Sequence, residues 1–364
     1  MKRKIHIMRK TCKLAAGAAL LLLSCSKEPA EIFAPETHIG FSRPAVSMSG
    51  PEISEMHTRG TLYDNFPEGG SFGVLGYLKS NDNDAASDWT TKYQFVAPDI
   101  FYQKEVKYSN GGCTYSGLQA WDANTAGRYT FFAYYPYNGN FAVSPNTAGA
   151  PSFTWTMPFE GGDTGTSRSL DAAVDAMVAV RYNHTKARGN VDFTFSHLMT
   201  AIRFKINNFD DDTPVRINKI TLSGAFYRTT TLDYTPVAGA NHVTRTTSGS
   251  YNGTYTIFDN AEPFTVESGQ SFFVTDAAGT VPILLLLPGV DDTNPAITGL
   301  GTGVSFSCDY SFINEGQRGG NALDYAFEPG TLYTVNLNFI GDSFTIYITS
   351  DNWENGSDNG IVIQ

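Results

Sequence analysis

Ser71 lies in Gly69-Gly70-Ser71-Phe72-Gly73, which spells the G-x-S-x-G pattern of a nucleophile elbow. That chemistry needs a strand before the serine and a helix after it, so that the hydroxyl stands at a helix start. Here the turn residues Asn65, Pro67 and Gly69 come first and a strand-like run follows. A glycine-rich strand start is therefore expected, and hydrolase chemistry is not. His38, His57, His184, His197 and His242 show neither H-x-x-x-H nor H-x-H spacing, so no metal site and no cofactor are expected. His197 is in phase with Val191, Phe193 and Phe195, which places it at the core or its rim as a hydrogen-bonded structural histidine. Cys113 and Cys308 read as unpaired, partly buried thiols in different halves of the chain. Asp82, Asn83, Asp84 and Asp88 offer oxygens near one another, but the glycine and closing glutamate of a calcium loop are missing, so a solvated turn is expected. Asp210-Asp211-Asp212 and Asp291-Asp292 read as loop acids, and Gly299-Leu300-Gly301-Thr302-Gly303 lacks the spacing and βαβ setting of a dinucleotide loop. Trp89, Trp121 and Trp155 would stack on sugars if exposed and pack a core if buried, and core packing is the preferred reading. Arg59, in His57-Thr58-Arg59-Gly60-Thr61, is a peptide bond open to a trypsin-like protease, whereas Arg43 is protected by the following Pro44. By residue type alone, any loop arginine would qualify as well as Arg59.

Cys25 carries the more specific chemistry. Residues 1–13 are basic, and residues 14–23 form a ten-residue apolar run. As a helix that run spans about 15 Å, half of a bilayer core, and reads as a signal-peptide segment rather than a membrane anchor. It ends in Leu22-Leu23-Ser24-Cys25, which resembles the lipobox of bacterial lipoproteins. The Cys25 thiol would take a diacylglyceryl group before cleavage, and the freed amine a further acyl chain. Each buried methylene contributes about 0.8 kcal/mol, so two or three chains hold a protein on a membrane almost permanently. Ser26-Lys27-Glu28 partly resembles the lysine-plus-acid signal that sends lipoproteins to the outer surface in Bacteroides-like bacteria.

Short strands must position these residues. The 364 residues are 41% hydrophobic and only 17% charged, with 35 Gly, 19 Tyr and 25 Phe, a composition suited to an antiparallel β protein rich in turns. Residues 1–24 hold six of the 25 basic residues and no acid, which leaves 19 basic against 36 acidic side chains. A body that acidic argues against nucleic acid and against electrostatic docking on an anionic membrane. Residues 26–60 form a Pro/Ser/Glu-rich leader with one alternating patch, Ile39-Gly40-Phe41. Strands are predicted at 72–78, 129–135, 191–195, 201–206, 215–222, 255–258, 272–274 and 281–287, with a closing hairpin of 332–340 and 344–348 around Gly341-Asp342. Residues 169–180 show helical character through Ala172, Ala173, Val174, Ala176 and Met177, although their β-branched end could equally enter a strand. The pattern predicts two β-sandwiches rather than βαβ units, divided near 187–189. Residues 1–24 would be the signal peptide, 25–59 the leader, 60–189 the first sandwich and 190–364 the second.

The order of motifs resembles the fimbrillin family of Bacteroidales, whose members build type V pili. The residues that carry the likeness are Leu22-Leu23-Ser24-Cys25, Thr58-Arg59-Gly60, Phe72-Gly73-Val74-Leu75-Gly76-Tyr77 and the aromatic run 129–136. They continue with Asp175-Ala176-Met177-Val178-Ala179, Phe195-Ser196-His197-Leu198-Met199, Ile202-Arg203-Phe204-Lys205-Ile206, Gly330-Thr331-Leu332-Tyr333-Thr334-Val335-Asn336-Leu337 and Trp353. The resemblance implies an all-β protein of two transthyretin-like antiparallel sandwich domains in tandem, without enzyme activity. It implies export as an outer-membrane lipoprotein and head-to-tail assembly with other fimbrillin subunits. A trypsin-like, Arg-specific protease would cut between Arg59 and Gly60, removing a first strand that contains Ile39 and Phe41. A neighbouring subunit would refill the gap with a terminal strand, here Ile361, Val362 and Ile363. The competing readings are a glycan-binding surface lipoprotein that uses exposed tryptophans, and a hydrolase built around Ser71.

Overall fold

The computed structural model describes residues 37–47, 58–59, 65–79, 97–123, 127–144, 149–158, 167–168, 174–235, 243–312, 316–341, 343–352 and 361–363. Cys25, the Ser26-Lys27-Glu28 signal, Gly60, the 82–88 acidic turn, Trp89 and Trp353 lie outside these residues. Among the described residues the regular structure is β throughout, apart from a single turn of 3-10 helix at Lys186–Arg188. No helix there is long and apolar enough to cross a membrane.

The first sheet runs in the order β1 (Ala45–Val46), β11 (Thr194–His197), β10 (Met177–His184), β6 (Arg128–Tyr135), β3 (Ser71–Lys79), β4 (Phe101–Ser109) and β5 (Gly112–Thr114). All its neighbours are antiparallel except β1, which lies parallel to β11. The second sheet is β15 (Ser271–Phe273), β12 (Thr200–Asn208), β20 (Thr331–Ile340), β21 (Ser343–Asn352) and β22 (Ile361–Ile363), with β17 (Leu284–Leu286) also on β12. The third is β19 (Gly316–Ala322), β18 (Gly301–Ser311), β13 (Val215–Asp233), β14 (Thr244–Val266) and β9 (Ser167–Arg168). The far end of β13 also pairs β8 (Ser152–Thr156), which in turn pairs β7 (Phe141–Ser144). A separate two-residue parallel pair joins β2 (Thr58–Arg59) to β16 (Val281–Pro282).

The sheets enclose three cores. Sheets two and three sandwich Ile202, Phe204, Ile217, Leu222, Phe306, Val335 and Leu337. The long β13–β14 hairpin then extends past that core, and its far end delivers Leu232 and Tyr234 onto one face of the first sheet. The third sheet thus takes strands from both sides of residues 187–189.

The first sheet is buried on both faces, and this explains its sequence. In β6, Tyr129, Phe131, Ala133 and Tyr135 point to one core while Phe132 and Tyr134 point to the other. A strand covered on both sides reads as a continuous apolar run rather than as alternation. The same reason corrects the helical character expected over 169–180. Its described part is a bridge at Val174 followed by strand β10, with Met177 and Ala179 in one core and Ala176 and Val178 in the other. Consecutive small apolar residues suit such a strand as well as they suit a helix. Opposite Tyr134 stands Gly73, where a Cβ would fall 2.2 Å from the tyrosine ring, so the glycine lets that ring lie across its neighbouring strand.

Candidate functional site

The leader segment 37–47 supplies the edge strand of the first sheet beside β11. Ile39 and Phe41 are two residues apart in extended chain, so both face inward, and they are 1% and 5% exposed. Gly40 between them passes so close to Asn190 that any Cβ would overlap its side-chain oxygen. On one side the Ile39 N–H donates to the Gln119 carbonyl at 2.8 Å, and the Trp121 N–H donates to Thr37 at 3.2 Å. On the other side the Ser42 N–H donates to Val191 at 2.9 Å, and the Val191 N–H donates to Gly40 at 2.8 Å. The segment therefore lies between the 191–195 stretch that runs into β11 and the 119–121 loop, and hydrogen-bonds to both. Pro44 has no N–H to offer, and the register slips there: Phe41 bridges Val191, yet Ala45 pairs with Thr194. The pairing resumes with Ala45 and Ser47 donating to Phe193 and Phe195.

Phe41 is the centre of an aromatic box. Its ring stacks on Phe193 at 5.9 Å and meets Phe72, Phe101, Tyr115 and Phe131 at 5.7 to 6.3 Å. The Tyr115 hydroxyl donates to the Ile39 carbonyl at 2.6 Å, and Cys113 Sγ donates to the Ser42 carbonyl at 3.4 Å. Ile39, Phe41 and Val46 together contribute roughly 5–9 kcal/mol of apolar burial, at about 1.5–3 kcal/mol each. Their loss would leave an open apolar groove flanked by unpaired strand edges.

Burial pushes the Cys113 thiol up to about 12. At pH 8 it is then almost wholly protonated while the leader is seated. Withdrawal of the leader is expected to raise its alkylation rate by about 100-fold or more, through the thiolate fraction and through access. Timed iodoacetamide labelling followed by peptide mass spectrometry checks this; unchanged labelling in a leader-free monomer would contradict it. Cys308 is the internal control, since it is a buried thiol in a different core from the one the leader packs against.

At the end of β11 the buried His197 holds Asp175, with Nδ1 at 2.8 Å and 3.0 Å from the two carboxylate oxygens. This pair joins the start of β10 to β11, where Met177 opposes His197. Asp175→Ala is expected to destabilise the chain by about 1–3 kcal/mol, the cost of removing a hydrogen-bond partner from a buried polar group. The urea midpoint reads the effect, and an unmoved midpoint would show that the pair carries no stability.

The other residues singled out in the sequence fall as follows. Ser71 opens strand β3 and no helix follows it, so the geometry of a nucleophile elbow is absent. Trp155 is 0% and Trp121 5% exposed; both are core residues and neither can serve as a sugar-stacking platform. Asp210 and Asp291 cap their own loops by accepting backbone N–H groups two and three residues on. Residues 299–303 lead into β18, which begins at Gly301, with Gly299, Gly301 and Gly303 at positive φ. Among the described residues no three His, Cys, Asp or Glu side chains converge as a metal-binding set. Thr58–Arg59 has extended backbone and pairs in parallel with Val281–Pro282. Ile361–Ile363 sits as the edge strand of the second sheet, with Ile346 opposite Ile363. The sequence missed the partners of the leader, the segments 119–121 and 190–195, because no local pattern says which distant edges a short strand will join.

The chain belongs to the fimbrillin-like family, whose profile matches residues 58–353. It is thus a structural, cell-surface protein of the fimbrial type rather than an enzyme, and its partners are other fimbrial subunits. Among solved structures it is similar to a fimbrial protein from Bacteroides vulgatus, with 17% identity, a TM-score of 0.47, and coverage of 80% of this chain and 92% of that one. It is also similar to a candidate cell adhesion protein from Bacteroides uniformis, with 13% identity, a TM-score of 0.42, and coverage of 87% and 99%. A fimbrial assembly protein from Parabacteroides distasonis aligns at 9% identity and a TM-score of 0.35 over 81% and 92%. No curated protein matches the chain.

Proposed function

We propose that this protein is a structural subunit or anchor of a type V-like fimbrium, exported as a surface lipoprotein through Cys25 and assembled by proteolysis-triggered strand exchange. The observation that carries the reading is the seating of Ile39 and Phe41 in the core beside β11, held on one side by the 191–195 stretch and on the other by the 119–121 loop through backbone hydrogen bonds. Cleavage between Arg59 and Gly60 frees the leader from the rest of the chain and makes its departure irreversible. The groove then offers the β11 edge, the 119–121 backbone and an aromatic box to an extended strand with apolar residues two apart, which is β-strand addition. The candidate donor is Ile361–Ile363 of a neighbour, which would leave its own edge position on β21 to serve. Head-to-tail joints of this kind do not close, so they give filaments.

The experiment is limited digestion of the purified uncleaved chain with an Arg-specific trypsin-like protease. The expected result is a new N-terminus at Gly60 and conversion of monomer into a ladder of detergent-resistant oligomers. Cleavage at Gly60 that leaves a stable monomer would overturn strand exchange, and resistance of Arg59 under conditions that digest denatured chain would overturn processing at this site.

A further inference from the structure

His184 is a buried imidazole set between the two flanks that hold the leader. It ends β10 and is 0% exposed. Its Nε2 stands 3.0 Å from the Gly189 carbonyl, which can only accept, so the ring proton sits on Nε2 and Nδ1 is bare. Nδ1 is buried and has no hydrogen-bond partner. One ring face stacks on Trp121, with centroids 5.7 Å apart and planes at 22°. The indole Nε1–H of Trp121 is a buried donor that is likewise unpartnered. On the Trp121 side, the Trp121 N–H donates to the Thr37 carbonyl and the neighbouring Gln119 carbonyl accepts from Ile39. On the Gly189 side the chain runs straight into Asn190, against which Gly40 is packed, and into Val191, which donates to Gly40 and accepts from Ser42. One ring thus braces both sides of the first half of the leader.

A second proton on this ring would go to Nδ1. The imidazolium N–H and the Trp121 N–H would then be two adjacent buried donors with nothing to accept from either. The indole face attracts a cation, but that gain is smaller than the cost of taking an ion out of water. The surrounding charges do not supply a counter-ion. Arg181 and Arg188 oppose a positive ring, and Asp192, which favours one, is bridged to Arg181 at 3.2 Å. On the β6 side the Tyr129 hydroxyl accepts from the Asp122 N–H. On the leader, His38 Nδ1 lies 2.8 Å from the Thr37 hydroxyl. Burial accordingly holds the His184 imidazole below its ordinary value near 6.5, helped by Arg181 and Arg188 and opposed by the Gly189 bond and Asp192. We infer that His184 is an acid-sensitive latch on the leader: a proton on its buried ring loosens Trp121 and the Gly189 turn and frees residues 37–42. The closed seat takes up the proton less readily than the opened one. The seat is therefore whole above about pH 6.5 and weakens as pH falls below it, by at most about 10-fold per pH unit for one proton. Mild acid would open the Ile39 end of the groove without a cut in the chain. The latch concerns the seated leader, so it stands whether or not cleavage at Arg59 leads to assembly.

The test is amide hydrogen exchange of the full uncleaved chain, read by mass spectrometry at pH 7.5 and 5.5 and corrected for the intrinsic rate at each pH. Protection of peptides spanning 37–42 and 119–122 is expected to fall by about 3- to 10-fold at pH 5.5, the upper figure being one proton over one pH unit. Protection of 201–206 and 332–337, in the second sheet, is expected to hold. His184→Gln keeps a donor for the Gly189 carbonyl and cannot titrate, so its protection should change by less than about 2-fold between the two pH values. His38→Gln, at a partly exposed leader position, should keep the drop of the parent, and this variant keeps the test decisive if His184→Gln does not fold. Equal protection of the parent at both pH values would overturn the latch, as would a drop that survives in His184→Gln or vanishes in His38→Gln. A drop shared by every peptide would overturn it too, because the acid would then be unfolding the whole chain.

Discussion

Phe41→Ala is expected to cost the uncleaved chain about 3–5 kcal/mol, the range for deleting a buried aromatic side chain. The site cannot collapse to fill the space, because the surrounding rings belong to four separate strands and loops that also build the rest of the first sheet. Phe72 and Phe131 are themselves 0% exposed and fixed by the same core. The loss therefore falls on the attachment of the leader. Urea unfolding of the variant should show an early transition as the leader leaves, followed by the remaining fold, and Cys113 should become alkylated before that first midpoint. A shift of less than about 1 kcal/mol, well under the range for buried aromatics, would mean that the box tolerates a void and that the leader is held by its backbone alone. Ser42→Ala is the matched control: it keeps the backbone bonds and should leave the midpoint within about 0.5 kcal/mol, as a change away from packed features does.

Arg59→Gln is expected to abolish assembly while leaving the monomer as stable as the parent. The change removes the positive side chain that a trypsin-like pocket requires and leaves the two-residue pairing of Thr58–Arg59 with Val281–Pro282 to the backbone. Such a short pairing opens locally at little cost, so in the parent the bond becomes available to the protease without unfolding of a core. The variant should be recovered at the cell surface as full-length monomer carrying the leader. Fibres in normal yield from Arg59→Gln cells would show that cleavage at this position does not license assembly.

Much of this was legible in the sequence because local patterns report local facts. The alternation of Ile39 and Phe41 gave an inward-facing ribbon, and the aromatic run ended by Pro136 gave β6. The closing hairpin followed from two apolar runs around Gly341, which has φ 58. What was not legible depends on long-range placement or on weak composition. The outer parts of β13 and β14 are rich in Thr, Ser and Gly, whose β signal is diluted, yet they stay paired out to Asp233 and Thr244, in strands of 19 and 23 residues. Strand β19 contains Gly316, Gly319 and Gly320 and pairs β18 all the same; at Gly319 a side chain would meet the ring of Phe344. The burial of β10 on both faces made a strand look helical.

The account rests on the leader being an occupant that assembly replaces. The most direct measurement is quantitative mass spectrometry of residues 37–47 in fibres purified from cells, set against the same peptide in uncleaved monomer. The account predicts that internal subunits lack this segment and begin at Gly60, while the monomer contains it in equal amount to the rest of the chain. Fibres that retain residues 37–47 in one-to-one ratio with residues 129–135 would contradict it, because the groove would then still be filled by its own strand.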